Sequence, residues 1–212
     1  MSGKSYLIGI AGPSGAGKSF LAEHLAQALV APVLPLDHYY RDLSHLPWDV
    51  RAQSNFDEPE ALEHELLISQ VQELGQGAAV AVPIYDFIQH TRTGETRLLL
   101  PGRYVIIEGI FTLYWLELRR LLGTSVYVEA SEELCRERRL DRDVRERGRS
   151  PESVLEQIRS SVFPMMYRYV EPTRSHAEVV LSGSAEIHES VSRVLEHVLP
   201  NRRQRQKTTA VK

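Results

Sequence analysis

Residues Gly12-Pro13-Ser14-Gly15-Ala16-Gly17-Lys18-Ser19 read G-x-x-x-x-G-K-[ST]. They stand between an apolar run, Tyr6 to Ala11, and a segment of helical periodicity from Lys18 to Val30 with Leu21, Leu25, Ala28 and Leu29 on one face. Three glycines let the backbone curl so that successive N–H groups converge on phosphate oxygens, and the helix adds its positive N-terminus. In such a phosphate-binding loop the lysine, Lys18, reaches the β- and γ-phosphates of a nucleoside triphosphate, and the Ser19 hydroxyl ligates Mg²⁺. The expected nucleotide contacts run through Gly12, Pro13, Ser14, Gly15, Ala16, Gly17, Lys18, Ser19 and Phe20.

Outward from this stretch, strands and helices alternate. Pro32 to Leu36 reads as a short strand ending at Asp37, and Pro59 to Leu74 as a helix stopped by Gly75 and Gly77. Two short runs, Ala79–Phe87 and Thr96–Leu100, flank Thr93-Gly94 and predict a β-hairpin turning there. Tyr104 to Ile107 and Val126 to Glu129 read as buried strands, the latter followed by a charged helix from Ser131 to Arg147. A strand at Glu178–Leu181 and a helix at Ala185–Leu199 close the domain. The pattern predicts an α/β fold, a mostly parallel sheet with helices on both faces. Ligands in such sheets sit beyond the carboxyl ends of the strands, where Gly12, Asp37, Glu108 and Glu129 fall.

The chain has 212 residues, which suits one domain over residues 1–200 with a basic tail at 201–212, expected to be disordered. Hydrophobic residues make up 42% and charged residues 25%, the mixture of a folded globular chain. A net charge of −3 gives no electrostatic footprint for nucleic acid. The single cysteine, Cys135, excludes an internal disulfide and a cysteine-based zinc site. No apolar run reaches the ~20 residues of a bilayer span. With no signal-peptide pattern at the start, the expectation is a cytoplasmic protein without membrane partners.

A phosphate-binding loop alone leaves ATPase, GTPase, kinase and switch open. The guanine-reading N-K-x-D motif is absent. Glu108, closing the apolar run Val105-Ile106-Ile107, is the acidic strand end expected on the Mg²⁺ side. Asp37 is placed either to take a proton from an acceptor hydroxyl or to cap a turn. The hairpin holds Pro83-Ile84-Tyr85-Asp86-Phe87-Ile88-Gln89-His90-Thr91-Arg92, whose rings suit either a core or a planar base. Arg136, Arg138, Arg139, Arg142, Arg145, Arg147 and Arg149 outnumber the interleaved acids Glu137, Asp141, Asp143 and Glu146. Over a phosphate site, such a lid at about 136–150 neutralises the transferring group and excludes water, with Gly148 as hinge. The remaining histidines show no metal-ligand spacing.

These pieces, in this order, resemble the uridine kinase (uridine–cytidine kinase) family of P-loop phosphotransferases, from about Ile8 to Leu181. The stretches that carry the likeness are GPSGAGKS, LDHYYRD, NFDEP, PIYDFIQHTR, IIEGI and RRLDRDVRERGR. The resemblance implies ATP-dependent phosphorylation of the 5′-hydroxyl of uridine or cytidine, with Mg²⁺. It implies Asp37 as catalytic base, with Lys18, Arg142 and Arg147 acting on the transferring phosphoryl group and Arg147 and Arg149 also on ATP. Tyr40, Phe56 and Asp57 are implied in the nucleoside pocket, Asp57 toward the ribose. Tyr85, Phe87 and His90 are implied in base recognition, Arg139 at the sugar and Gln157 beside the nucleoside. Ser19 and Glu108 are implied on the metal side. A homo-oligomer, a tetramer in the family, is implied too.

The chain departs from the family pattern at Glu58, where histidine is common, and at Ala177-Glu178 and Ser182-Gly183-Ser184 near the nucleotide base. Two other readings keep the same loop: a kinase of the same broader group with another hydroxyl acceptor, such as ribulose 5-phosphate or pantothenate, and a nucleotide-binding regulator without transfer activity.

Overall fold

The computed structural model describes residues 3–209. Five strands, β1 (Tyr6–Ala11), β2 (Val33–Pro35), β5 (Tyr104–Glu108), β6 (Thr124–Glu129) and β7 (Val179–Ser182), form one sheet in the order β2-β5-β1-β6-β7. Every pairing in it is parallel. Successive residues feed opposite faces. Leu7, Val105, Ile107 and Tyr127 join one buried cluster; Ile8, Ile106, Val126 and Val128 join the other. The first cluster is closed by α3 (His64–Gly75) through Leu67, Val71 and Leu74, and by α4 (Leu116–Leu121) through Leu118. The second is closed by α1 (Lys18–Leu29) through Leu21 and Leu25, and by α8 (Ile187–Thr209) through Val194 and Val198. Helices on both faces of a parallel sheet explain why its strands are apolar throughout rather than alternating.

Helix α8 carries the chain past residue 200, so the boundary expected there falls within a helix; residues 210–212 of the expected tail lie outside the described residues. The helix expected over Pro59–Leu74 is two pieces, a 3₁₀ turn at Pro59–Ala61 and α3. A short helix, α2 (Trp48–Ala52), precedes them.

The hairpin is β3 (Val80–Asp86) against β4 (Thr91–Leu99), and its turn is not where the sequence placed it. Asp86 Oδ1 accepts hydrogen bonds from the Ile88 and Gln89 N–H groups at 2.8 and 2.9 Å, so the reversal occurs at residues 87–90. Thr93-Gly94 instead sits within β4. Pro83 pairs with Thr96 and Tyr85 with Arg92, so three residues of β4 oppose one of β3 and the irregularity is a bulge. A glycine at positive φ serves a bulge as well as a turn, and the aspartate four residues before His90 is the real turn signal.

The charged helix, α5 (Glu132–Arg147), begins at the Ser131 N-cap, whose Oγ accepts from Leu134 N–H, and ends at Gly148 in the left-handed region. Its Leu140 and Val144 pack with Val154, Ile158 and Val162, a small core of its own. Those partners lie on α6 (Pro151–Gln157) and the π-helical turn Ile158–Val162, which continues through α7 (Phe163–Met165) and a second π turn, Met166–Val170.

Buried Tyr39 donates to Gln70 Oε1 at 2.6 Å, and Gln70 Nε2 donates to Ala81 O at 3.0 Å, joining the segment after β2 to α3 and β3. Tyr39→Phe leaves the Gln70 oxygen without that donor. Urea unfolding should show a loss of roughly 1–3 kcal/mol with an unchanged slope; an unchanged midpoint contradicts the role given to this bond.

Candidate active site

The loop at residues 12–17 crosses the carboxyl end of β1, and two backbone approaches make it glycine-dependent: at Gly12, φ is 142° and a Cβ would stand 2.2 Å from the Val128 carbonyl oxygen. At Gly15, φ is 84° and a Cβ would stand 2.5 Å from the Cys135 carbonyl oxygen. Lys18 is buried and donates from Nζ to Pro13 O at 2.8 Å, so its ammonium lies against the loop it serves. Burial lowers its pKa, while Glu108 and Asp37 act in the opposite direction. Ser19 Oγ donates to Glu108 Oε1 at 3.2 Å, and burial raises the Glu108 pKa against the pull of Lys18.

Ser19 and Glu108 thus bring a hydroxyl and a carboxylate together at the phosphate end of the loop. Among the described residues no group of three or more His, Cys, Asp or Glu is arranged to hold a metal. That donor set fits Mg²⁺, which keeps several waters and shares its shell with substrate phosphates.

On one side of the loop lies a small pocket, partly open to solvent. It is lined by Ser14, Asp37, Tyr40, Phe56, Asp57, Tyr85, Phe87, His90, Ile110, Arg139, Arg142, Arg147, Arg149 and Gln157. Every nucleoside-side residue named from the sequence lines it. Asp37 arrives on a 3₁₀ turn, Leu36–Tyr39, directly after β2. Tyr40 meets Phe56 and Tyr85 with centroids 5.3 Å apart in both pairs. His90, at φ 51°, stacks on Phe56 at 5.2 Å with the planes 17° apart. Arg92 holds this wall in place: it donates to the Tyr39 and Tyr40 carbonyls and pairs with Glu63 at 2.6 Å. Nothing local singles out Arg92, because its partners, two backbone carbonyls and the Glu63 carboxylate, lie far along the chain.

The seven arginines separate into distinct roles. Arg139, Arg142, Arg147 and Arg149 converge on the pocket. Arg136 faces Phe163, and Arg145 pairs with Asp141 at the surface. Arg138 turns the other way and donates to Gly15 O, Ala16 O and Gly183 O. It thereby joins the phosphate loop to the loop after β7, where a Cβ on Gly183 would stand 2.1 Å from Ala16 O. Beside this junction, on the other side from the acidic and aromatic pocket, a cavity of about 370 Å³ is lined by Gly17, Phe20, Leu21, Arg138, Ser182, Gly183 and Ser184. Of this lining, Gly17 and Phe20 were expected to contact the nucleotide, and Ser182-Gly183-Ser184 to lie near its base.

Gln157 Oε1 accepts from Arg139 at 3.0 Å and from Arg149 at 2.6 Å, so in this state it orients arginines. Asp57 pairs with Arg139 at 3.4 Å, and Glu58 accepts from Asn55 at 3.1 Å. Arg147 places its guanidinium carbon 4.7 Å from the Phe87 ring centroid. The remaining cavity is about 40 Å³, so a ring entering the pocket must move side chains, Arg147 among them.

Burial lowers the His90 pKa to about 4, with Arg149, Arg147 and Arg51 adding to the shift and Asp86 opposing it. The folded ring is neutral near pH 7, while in the unfolded chain it gains a proton below about pH 6.5. Between about pH 6.5 and 4 the unfolded state binds more protons, so stability falls as pH falls. His90→Gln should flatten that part of the stability profile by on the order of 2 kcal/mol. A slope equal to the parent's contradicts this assignment.

Residues 7–187 match the sequence profile of the Phosphoribulokinase / Uridine kinase family. A uridine kinase of Aeromonas hydrophila is 41% identical over 182 residues, spanning 82% of this chain and 85% of that protein. A uridine kinase of Shewanella amazonensis is 39% identical over 182 residues, spanning 82% and 86%. Among solved structures, one from Silicibacter sp. TM1040 superposes with a TM-score of 0.69 at 21% identity, covering 84% of this chain and 89% of that one. Phosphoribulokinase from Rhodobacter spheroides gives 0.59 at 15% identity, covering 84% and 70%; these two likenesses concern the fold. With its matching loop, sheet order and profile, the chain belongs to the Phosphoribulokinase / Uridine kinase family.

Proposed function

We propose that this chain transfers the γ-phosphoryl group of ATP to the 5′-hydroxyl of uridine and cytidine, giving UMP and CMP. The observation that carries the reading is the single pocket in which Asp37, an aromatic wall and four arginines face one another beside the phosphate loop. The uridine kinases that share about two-fifths of its sequence support the same acceptor.

In this reading the base lies against Tyr40, Phe56, Tyr85 and Phe87. His90 meets its polar edge as a neutral imidazole, which can donate or accept and so suits the 4-oxo group of uracil and the 4-amino group of cytosine. Asp57 and Arg139 hold the sugar. Asp37 accepts the 5′-hydroxyl proton as that oxygen bonds to the γ-phosphorus; the bond to the β,γ-bridging oxygen breaks and ADP departs. Lys18, Arg142 and Arg147 balance the charge on the transferring group, with Arg147 and Arg149 swinging from their present contacts to the phosphates. Mg²⁺, held by Ser19 with Glu108 beside it, would supply further charge neutralisation on the phosphate oxygens. The 370 Å³ cavity beside Phe20 and Ser182–Ser184 takes the base of the donor.

A homotetramer, cytoplasmic location and a place in pyrimidine salvage belong to the same reading. Among the described residues, no helix is long and apolar enough to cross a membrane.

Asp37→Asn separates transfer from binding. It should lower kcat by about 10²–10⁴-fold while ATP affinity, measured by calorimetry, stays within a few fold of the parent. Parent-like turnover would remove Asp37 from the chemistry.

A further inference from the structure

Asp143 is wholly buried, yet it takes no part in the chemistry described above. Its carboxylate is surrounded by the four converging arginines. Arg142 grips Oδ1 with two nitrogens, Nε at 2.8 Å and Nη2 at 2.7 Å. Arg147 stands 3.5 Å from the same oxygen. Arg139 and Arg149 each stand 3.6 Å from Oδ2. The main chain of Asp143 holds the same unit: its carbonyl oxygen accepts the N–H groups of Gly148 and Arg149, which fixes the turn that carries the last two arginines.

Oδ2 makes no hydrogen bond, although two guanidinium groups face it. Arg149 Nη1 bonds to Gln157 instead, and Arg139 bonds through its terminal nitrogens to Ser14, Asp57 and Gln157 while its Nε, which faces Oδ2, also makes no hydrogen bond. Three of the four arginines are therefore drawn to Asp143 by charge rather than locked onto it by directed bonds. Four cations in one half-buried pocket repel one another, and a single central carboxylate offsets that repulsion. A triphosphate brings more negative charge and more acceptor oxygens than Asp143 offers, so it can draw the loosely held groups away.

We propose that Asp143 is a positioning residue, which gathers Arg139, Arg142, Arg147 and Arg149 before substrate arrives and releases them in part to the phosphates during transfer. The proposal rests on the reading of this pocket as the transfer site. Asp143 itself touches neither substrate nor reacting atoms. Its effect belongs in kcat more than in uridine KM, because the aromatic wall that holds the base is built on other elements.

The test is a double-mutant cycle on the full chain with Mg-ATP and uridine, using the parent, Asp143→Asn, Arg142→Ala and the double variant. Rates are taken below each variant's thermal midpoint. Asp143→Asn should lower kcat by roughly 10–100-fold with uridine KM within about threefold. Arg142→Ala should cost far less in the Asp143→Asn background than in the parent, since both remove one arrangement. Asp143→Glu keeps the charge one methylene out of place and guards against failure of the Asn variant to fold; it should recover the fold and only part of kcat. Parent-like kcat in folded Asp143→Asn or Asp143→Glu overturns the proposal, as do costs that simply multiply in the cycle. Absence of turnover by the parent with uridine would instead overturn the acceptor reading, and the cycle is then read with whichever acceptor the parent phosphorylates.

Discussion

Arg139 is the side chain through which the parts of this site meet. Only 6% exposed, it reaches Ser14 on the phosphate loop, Asp57 beside the acceptor pocket, Gln157 on α6 and Asp143 on its own helix. Removing a guanidinium from water is costly unless carboxylates and acceptors replace the solvent. The sequence therefore must bring two acids and two neutral acceptors to one place. Once it does, the helix carrying the arginines is registered against the loop that binds phosphate, and the acceptor wall is registered against both.

The second constraint is at the opposite end of the same loop. Lys18 is buried against Pro13 O, and Glu108, also buried, lies within its field. Each charge makes the burial of the other tolerable. Arg138 then joins the loop to the segment after β7 through three carbonyl oxygens, so the phosphate loop is held on both sides by one helix. Arginines at neighbouring positions of α5 thus face different cavities, Arg138 the one beside Phe20 and Ser182–Ser184 and Arg139 the one beside Asp37 and Asp57.

Local rules made much of this legible. The strand, glycine loop and helix at residues 6–29 are a self-contained signal, and the ends of α5 are marked by Ser131 and Gly148. The residues expected around a nucleoside were named from the family motif, and they line one pocket. Less was visible where long-range contacts decide. Gly94 looks like a turn glycine, but Asp86 captures two N–H groups earlier and the glycine becomes a bulge. The helical run after Ser150 includes two π turns, whose wider period breaks the spacing that marks a helix. Ser182, Gly183 and Ser184 are small and polar with no local pattern of their own, so only the family likeness, from which they depart, drew attention to that loop.

Selection of a pyrimidine nucleoside as acceptor is what Asp37, the aromatic wall and His90 together imply for this pocket. It is tested most directly by phosphoryl transfer from Mg-ATP to uridine, cytidine, adenosine, ribulose 5-phosphate and pantothenate, measured side by side. Turnover confined to uridine and cytidine is the predicted result. Turnover with either non-nucleoside and none with uridine or cytidine would contradict the role given to the aromatic wall and His90. Silence with all five acceptors, with ATP still bound, would contradict transfer itself.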